Sequence, residues 1–151
     1  MELASAAFEQ NGRIPSKYTC DGENINPPLN FGEVPQAAKS LVLIVDDPDV
    51  PKHVRPDGLW VHWLVWNMPP ATRTVAENSV PQGVEGTTSF GKPGYGGPCP
   101  PDREHRYFFK LYALDILLDL PPTANRENLE EAMKDHTLMH CELIGLYDRK
   151  R

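Results

Sequence analysis

Between Gly91 and Pro101 the chain places four glycines and four prolines in eleven residues, GKPGYGGPCPP. Such a run continues neither a helix nor a sheet ladder. Glycine leaves the backbone too free, and proline fixes φ and removes the N–H donor. Directly after it comes His105 to Leu114, HRYFFKLYAL, the aromatic and apolar composition of a strand. Side chains alternate along a strand, so His105, Tyr107, Phe109 and Leu111 share one face. Arg106 points the other way, which suits a structural salt bridge better than a phosphate clamp. Backbone amides in a stiff loop of this kind can form an anion-binding concavity. An imidazole and a phenol beside it add two more donors. The segment therefore predicts either a polar pocket at the start of a strand or, more plainly, strand residues with their polar tips in water.

The remaining elements are read against that centre. Met1 to Phe8 is a short edge strand, Gly12 to Pro15 a turn, Cys20 to Pro28 a loop, and Leu29-Asn30-Phe31 the start of a strand. Ser40 to Asp46 is apolar on both faces and predicts a strand buried between layers. It runs into Asp46-Asp47-Pro48-Asp49-Val50-Pro51, so carboxylates stand at its C-terminal end. Leu59 to Asn67, LWVHWLVWN, predicts the next strand. Strict alternation puts Trp60, His62, Leu64 and Trp66 on one face and Val61, Trp63 and Val65 on the other. A short strand is expected near Gly83 to Glu85. Asn125 caps a helix reaching about His136, with Leu129, Ala132 and Met133 as its apolar stripe. Leu138 to Tyr147 is the last strand, with Met139, Cys141 and Leu143 on one face. Many strands against one convincing helix predict a mainly β fold, an antiparallel two-sheet β-sandwich with one or two peripheral helices.

At 151 residues the chain is read as a single domain, 1–151, able to bury a core without staples. The net charge of −6 excludes the basic stripe that nucleic acid needs, and it disfavours docking on anionic membranes. No apolar run approaches the roughly 18 residues of a membrane helix. The N-terminus lacks the pattern of a secretory signal, so a cytoplasmic location is expected. In that setting the three cysteines read first as free thiols.

Asp47-Pro48-Asp49-Val50-Pro51, His62 eleven residues after Pro51, and Gly97-Pro98…Pro100-Pro101…His105-Arg106-Tyr107 follow one another in an order that resembles the phosphatidylethanolamine-binding proteins. The likeness runs from about Phe8 to Tyr147 and is closest to the short bacterial and archaeal members, which resemble the Raf-kinase inhibitors of animals. Taken alone, Asp47 and His62 are better explained by a turn and a core histidine. The resemblance makes them pocket residues, with the Asp47 carboxylate favouring protonated His62. It implies a pocket formed also by Pro48, Trp60, Gly97, Pro98, Pro101, His105 and Tyr107. Asp49 either faces the ligand as well or closes the turn. The ligand implied is a small anion, a phosphate, a phosphoethanolamine-type headgroup or a phosphorylated side chain, held while His62 and His105 are protonated. No cofactor and no enzymatic activity are implied. Partners of the kinase type, a homodimer and inhibition of a kinase or protease remain open.

Three further expectations come from the resemblance. Val50–Pro51 should be cis. Cys20 and Cys99 should meet at the pocket rim, close enough for a disulfide under oxidation. The pocket should be more open than in longer relatives, whose chains continue into a C-terminal helix. Two other readings have less support. Asp47, His62 and His105 have the donor types of a metal site. Cys99 beside His105 has those of a thiol nucleophile and its base, which would make the protein a hydrolase.

Overall fold

The computed structural model describes residues 1–150. In chain order the strands are β1 (Leu3–Ala4), β2 (Gly12–Arg13), β3 (Leu29–Phe31), β4 (Ser40–Asp47), β5 (Trp60–Met68), β6 (Thr74–Val75), β7 (Val84–Glu85), β8 (His105–Leu114) and β9 (Thr137–Tyr147). One helix, α1 (Arg126–Met133), precedes β9, and a single 3-10 turn covers Ser16–Tyr18. The strands form two sheets, ordered β1-β3-β6 and β2-β9-β8-β4-β5-β7. All pairings are antiparallel except β2 with β9, where Gly12 and Arg13 run parallel to Gly145 and Leu146. The stretch expected to be only a turn thus adds a short edge strand. β6 was not anticipated, because two residues carry no periodic signal.

β4 is buried along its whole length, as its two apolar faces predict. Leu41, Leu43 and Val45 face a core shared with Leu3, Leu29, Phe31 and Val75 of the small sheet. Val42 and Ile44 face a second core built with Leu118, Leu129 and Met133 under α1. The helix begins where expected: the Asn125 side chain accepts from the Asn128 N–H, and the Asn128 side chain returns the bond. It stops at Met133 rather than His136. Asp135 adopts a left-handed conformation, φ 66°, and turns the chain into β9.

Strict alternation fails in β5, and that failure shapes the site. Val45 pairs with Trp63 while Asp46 pairs with Val61, so one residue of β5 is extra there. Such a bulge re-aims the side chains on either side of it. Trp63 and Val65 therefore pack in the same core as Tyr107, while Leu64 and Trp66 pack under α1. His62 nevertheless stays on the Tyr107 side, its ring edge-on to that phenol at 5.3 Å. A second shift between Leu41 and Leu43 falls opposite Asn67, which has φ 56°. In β9 Met139 is exposed, whereas Cys141 and Leu143 pack inward as expected.

Candidate functional site

Where β4 ends and β5 and β8 begin, the large sheet opens into a cavity of about 220 Å³. Asp47, Trp60, His62, Pro101, His105 and Tyr107 all line it, as the sequence predicts. Cys99, expected at the rim, lines it too, and Val50, Val54, Phe90 and Pro100 line it without having been foreseen. Phe90 packs edge-on against Trp60 at 5.3 Å and against His62 at 5.6 Å. No sequence signal marks Phe90, because it arrives from a turn remote in sequence from the strands it touches.

Pro48, Asp49, Gly97 and Pro98 are not among the lining residues. Asp49 neither lines the cavity nor closes its own turn; its carboxylate is bound to β8. Its carboxylate accepts from Arg106 Nε and Nη2 at 2.9 and 2.8 Å and from the Arg106 N–H at 2.9 Å. The side-chain hydrogen bond with Arg106 holds the Asp49 carboxyl below its usual range. This is the structural salt bridge expected of Arg106.

Gly97 is set back from the cavity because its N–H donates to Asn24 Oδ1 at 2.8 Å. A Cβ there would collide with the Tyr18 carbonyl oxygen, so only glycine permits this approach. The Gly91 N–H donates to the Thr88 carbonyl and the Gly96 N–H to the His62 carbonyl. Pro93, Pro98, Pro100 and Pro101 have no N–H to offer. The amides of Gly91, Gly96 and Gly97 are therefore already bonded and do not contribute to the expected cradle.

Val50–Pro51 is trans, against expectation, as is every other peptide bond among the described residues. Hydrogen bonds turn the chain instead. The Asp49 N–H donates to Asp47 Oδ1 at 2.8 Å, and the N–H groups of Val54 and Arg55 both donate to the Pro51 carbonyl.

The expected pairing of Asp47 with His62 is also corrected. His105 Nδ1 lies 2.6 Å from Asp47 Oδ2, and His105 Nε2 lies 2.6 Å from Asp102 Oδ1. Burial pushes the Asp47 carboxyl above its ordinary value, against the hydrogen bond from His105. Asp102 stands three residues before His105 in the run between loop and strand, and its spacing alone gave no reason to select it. His62 belongs to a different network. Its Nδ1 lies 2.7 Å from the Gly96 carbonyl oxygen, which can only accept, so Nδ1 carries the hydrogen and Nε2 is left as an acceptor.

Burial lowers His62 from 6.5 to about 4, only partly opposed by the hydrogen bond to Gly96. The ring is therefore neutral at pH 7 and supplies no positive charge to an anion, contrary to expectation. An unfolded chain takes up this proton near 6.5 and the folded one only near 4. His62 thus contributes stability that is full above pH 6.5 and is lost as pH falls towards 4, on the order of 3 kcal/mol. Urea midpoints compared between neutral and acidic pH should fall less steeply in His62→Gln than in the parent chain. Parallel curves would assign the loss to other groups.

Tyr107 completes the wall. It is 1% exposed, and its hydroxyl has no hydrogen-bond partner. Burial first, and then the charge and nearness of the Asp47 carboxylate, which lies close to this hydroxyl without meeting it in good hydrogen-bond geometry, push this phenol far above its ordinary value, so it stays an O–H donor.

Cys20 and Cys99 form a disulfide with Cα atoms 5.5 Å apart, as the resemblance implied, and Cys141 is the free cysteine. The composition-based expectation of three free thiols is corrected, and Cys99, so bonded, carries no thiol to act as the nucleophile beside His105. The disulfide belongs to a clamp: Cys20 N–H donates to the Pro98 carbonyl at 3.1 Å and Tyr95 Oη to the Tyr18 carbonyl at 2.7 Å. Among the described residues no three His, Cys, Asp or Glu side chains gather as a metal site would require. No helix among them is long and apolar enough to cross a membrane.

The two-sheet sandwich that carries this cavity recurs in known proteins. The family model described as "Phosphatidylethanolamine-binding protein" matches residues 4–148. The chain belongs to this family. It is 50% identical over 149 residues to a UPF0098 protein of Chlamydia pneumoniae, with 99% of each chain covered. It is 52% identical over 155 residues to one of Methanothermobacter thermautotrophicus, again with 99% of each covered. A crystal structure described as a phosphatidylethanolamine-binding protein homolog from Chlamydia trachomatis is similar with a TM-score of 0.95 at 49% identity, covering 98% of this chain and 97% of that one. Escherichia coli YbcL, described as a member of the mammalian family, is similar with a TM-score of 0.89 at 26% identity, covering 99% and 98%.

Proposed function

We propose that the cavity binds a small phosphorylated ligand whose phosphate lies beside a hydrogen-bond donor, as in a phosphoethanolamine headgroup, and that it binds without turning the ligand over. The observation that carries this is the Tyr107 hydroxyl, buried in the cavity wall without a partner. Leaving such a group unsatisfied costs about 1–3 kcal/mol, a penalty that an accepting ligand oxygen removes. Asp47 and the Nε2 of neutral His62 can only accept, so they favour a donor on the same ligand. The rings of Trp60 and Phe90 and the side chains of Val50 and Val54 supply the apolar walls common to ligand sites.

O-phosphoethanolamine, titrated into the protein at pH 7 and followed through histidine and tyrosine ring NMR signals, should perturb His62 and Tyr107 saturably. Tyr107→Phe removes the orphan hydroxyl. It should leave the ligand-free protein as stable as the parent or about 1 kcal/mol more stable, while weakening O-phosphoethanolamine roughly tenfold. A variant that binds as tightly as the parent would refute the assigned role of Tyr107. A parent protein with no saturable response would refute the ligand class.

A further inference from the structure

A second cavity, of about 250 Å³, lies where the loop at Asn24, the turn at Asn78 to Val80 and β7 meet Tyr95. It shares no lining residue with the cavity of Asp47 and His105. Among the described residues that line it, Glu85 of β7 alone is charged. Glu85 is fixed from two sides. Its backbone pairs with Val65 of β5, and its Oε2 accepts from the Trp63 indole N–H at 2.8 Å. Its other oxygen, Oε1, makes no hydrogen bond, and the carboxylate makes no ion pair, among the described residues. Lys17, which reaches the residue before Asn78, is occupied there by Glu77 at 2.8 Å. A half-buried carboxylate held in place with one oxygen open is preorganised for a cationic donor.

The rest of the wall narrows the kind of cation. The Asn78 side chain makes no hydrogen bond, so its amide oxygen is a second open acceptor. The rings of Trp63 and Tyr95 stand edge to face, 5.5 Å apart. The Tyr95 hydroxyl is committed to the Tyr18 carbonyl, which leaves its ring as what it offers the cavity. Val80, at the rim, is 74% exposed. The Asn24 amide oxygen is taken by the Gly97 N–H, but its Nδ2 remains an open donor.

A bare metal ion would use neither the rings nor Val80, and a hard cation needs more oxygen ligands than one carboxylate and an amide supply. Two acceptors beside aromatic rings match the planar fork of a guanidinium, which donates in several directions and is attracted to ring faces. An exposed apolar residue beside them matches an alkyl stem. The open Asn24 donor matches a peptide carbonyl. The net charge of −6 favours the approach of a basic partner.

We propose that this cavity is a docking site for an arginine side chain of a partner peptide, with the guanidinium on Glu85 Oε1 and the Asn78 amide and the stem along Val80. The site is independent of the ligand assigned to the first cavity.

The test titrates three probes into the protein at pH 7 and follows the tryptophan indole N–H signals by NMR. N-acetyl-L-arginine amide should move the Trp63 signal saturably, because that N–H is bonded to Glu85. N-acetyl-L-citrulline amide keeps the stem without the charge and should bind at least roughly tenfold more weakly. Methylguanidine keeps the head without the stem and should bind roughly threefold or more weakly. In Glu85→Gln the amide oxygen still accepts from Trp63, while the blocked arginine should lose roughly tenfold in affinity. Should Glu85→Gln melt below the parent, Asn78→Gly supplies a second variant. Asn78 has φ 52°, which glycine adopts freely, and removing its amide should weaken the blocked arginine roughly threefold. A variant that melts with the parent and binds the blocked arginine equally well overturns the site, as does a parent with no saturable response. Equal binding of the citrulline probe overturns the role of charge. Methylguanidine binding as tightly as the blocked arginine overturns the assignment to a side chain.

Discussion

His105→Ala is expected to destabilise the protein by about 3–5 kcal/mol at neutral pH, because it strands a buried carboxylate. Asp47 is 2% exposed, and burial already raises its proton affinity, against the hydrogen bond that His105 gives it. Alanine removes that opposing bond and leaves a space beside the carboxylate. Asp47 should then hold its proton to higher pH than in the parent. A raised carboxyl carries its penalty above its folded pKa and sheds it below. The difference between parent and variant should therefore be largest near pH 7 and narrow as the pH falls towards the ordinary carboxylate range. Urea unfolding of both proteins at neutral and mildly acidic pH measures this. A loss below about 1 kcal/mol at pH 7 would mean that water or another donor replaces His105 without difficulty. A loss equal at both pH values would mean that packing, not charge, accounts for the effect.

Removing the disulfide, by Cys20→Ser with Cys99→Ser, should lower stability by about 2–4 kcal/mol, since the link closes a long loop in the unfolded chain. Its partners are separated by 79 positions. The hydrogen bonds around it, from Cys20 N–H to Pro98 and from Gly97 N–H to Asn24, remain possible in the variant. The native fold should persist, with a lower denaturant midpoint. Cys99 and Pro100 line the cavity, so the loosened wall should also weaken O-phosphoethanolamine binding. A dithiol reductant should lower the midpoint of the parent and leave that of the variant unchanged. Equal midpoints for parent and variant in the absence of reductant would show that the neighbouring hydrogen bonds suffice to hold the two loops together.

Much of the site was legible in the residues. His105 and Tyr107 do share an inward face, and Asp47 does stand at the end of a buried strand. These are consequences of period-two alternation and of the inability of prolines and acids to extend a central strand. The face assigned to Leu64 and Trp66 was wrong because one additional residue in β5 reverses the parity of everything beyond it. Strand composition shows that a residue is apolar, not that its neighbour has been doubled opposite a single partner.

Pairings were the least legible. Asp47 had two histidines to choose from, and the structure joins it to His105. The position of the Gly96 carbonyl then decides that His62 donates through Nδ1 and stays neutral. Both outcomes depend on where a distant loop comes to rest. Burial is likewise a property of the assembled sheets, and it is burial that lowers His62 and raises Asp47.

The sequence by itself determined the mainly β architecture, the capped helix, the strand faces up to the first bulge and the residue types gathered at the cavity, because each follows from local stereochemistry and the period of apolar side chains. Only the tertiary structure decided that the Gly91, Gly96 and Gly97 amides are taken up by Thr88, His62 and Asn24, that Val50–Pro51 is trans, that Phe90 joins the wall and that Asp102 holds His105. Each of these depends on groups brought together across the chain, where proximity, desolvation and the supply of donors and acceptors are settled by packing.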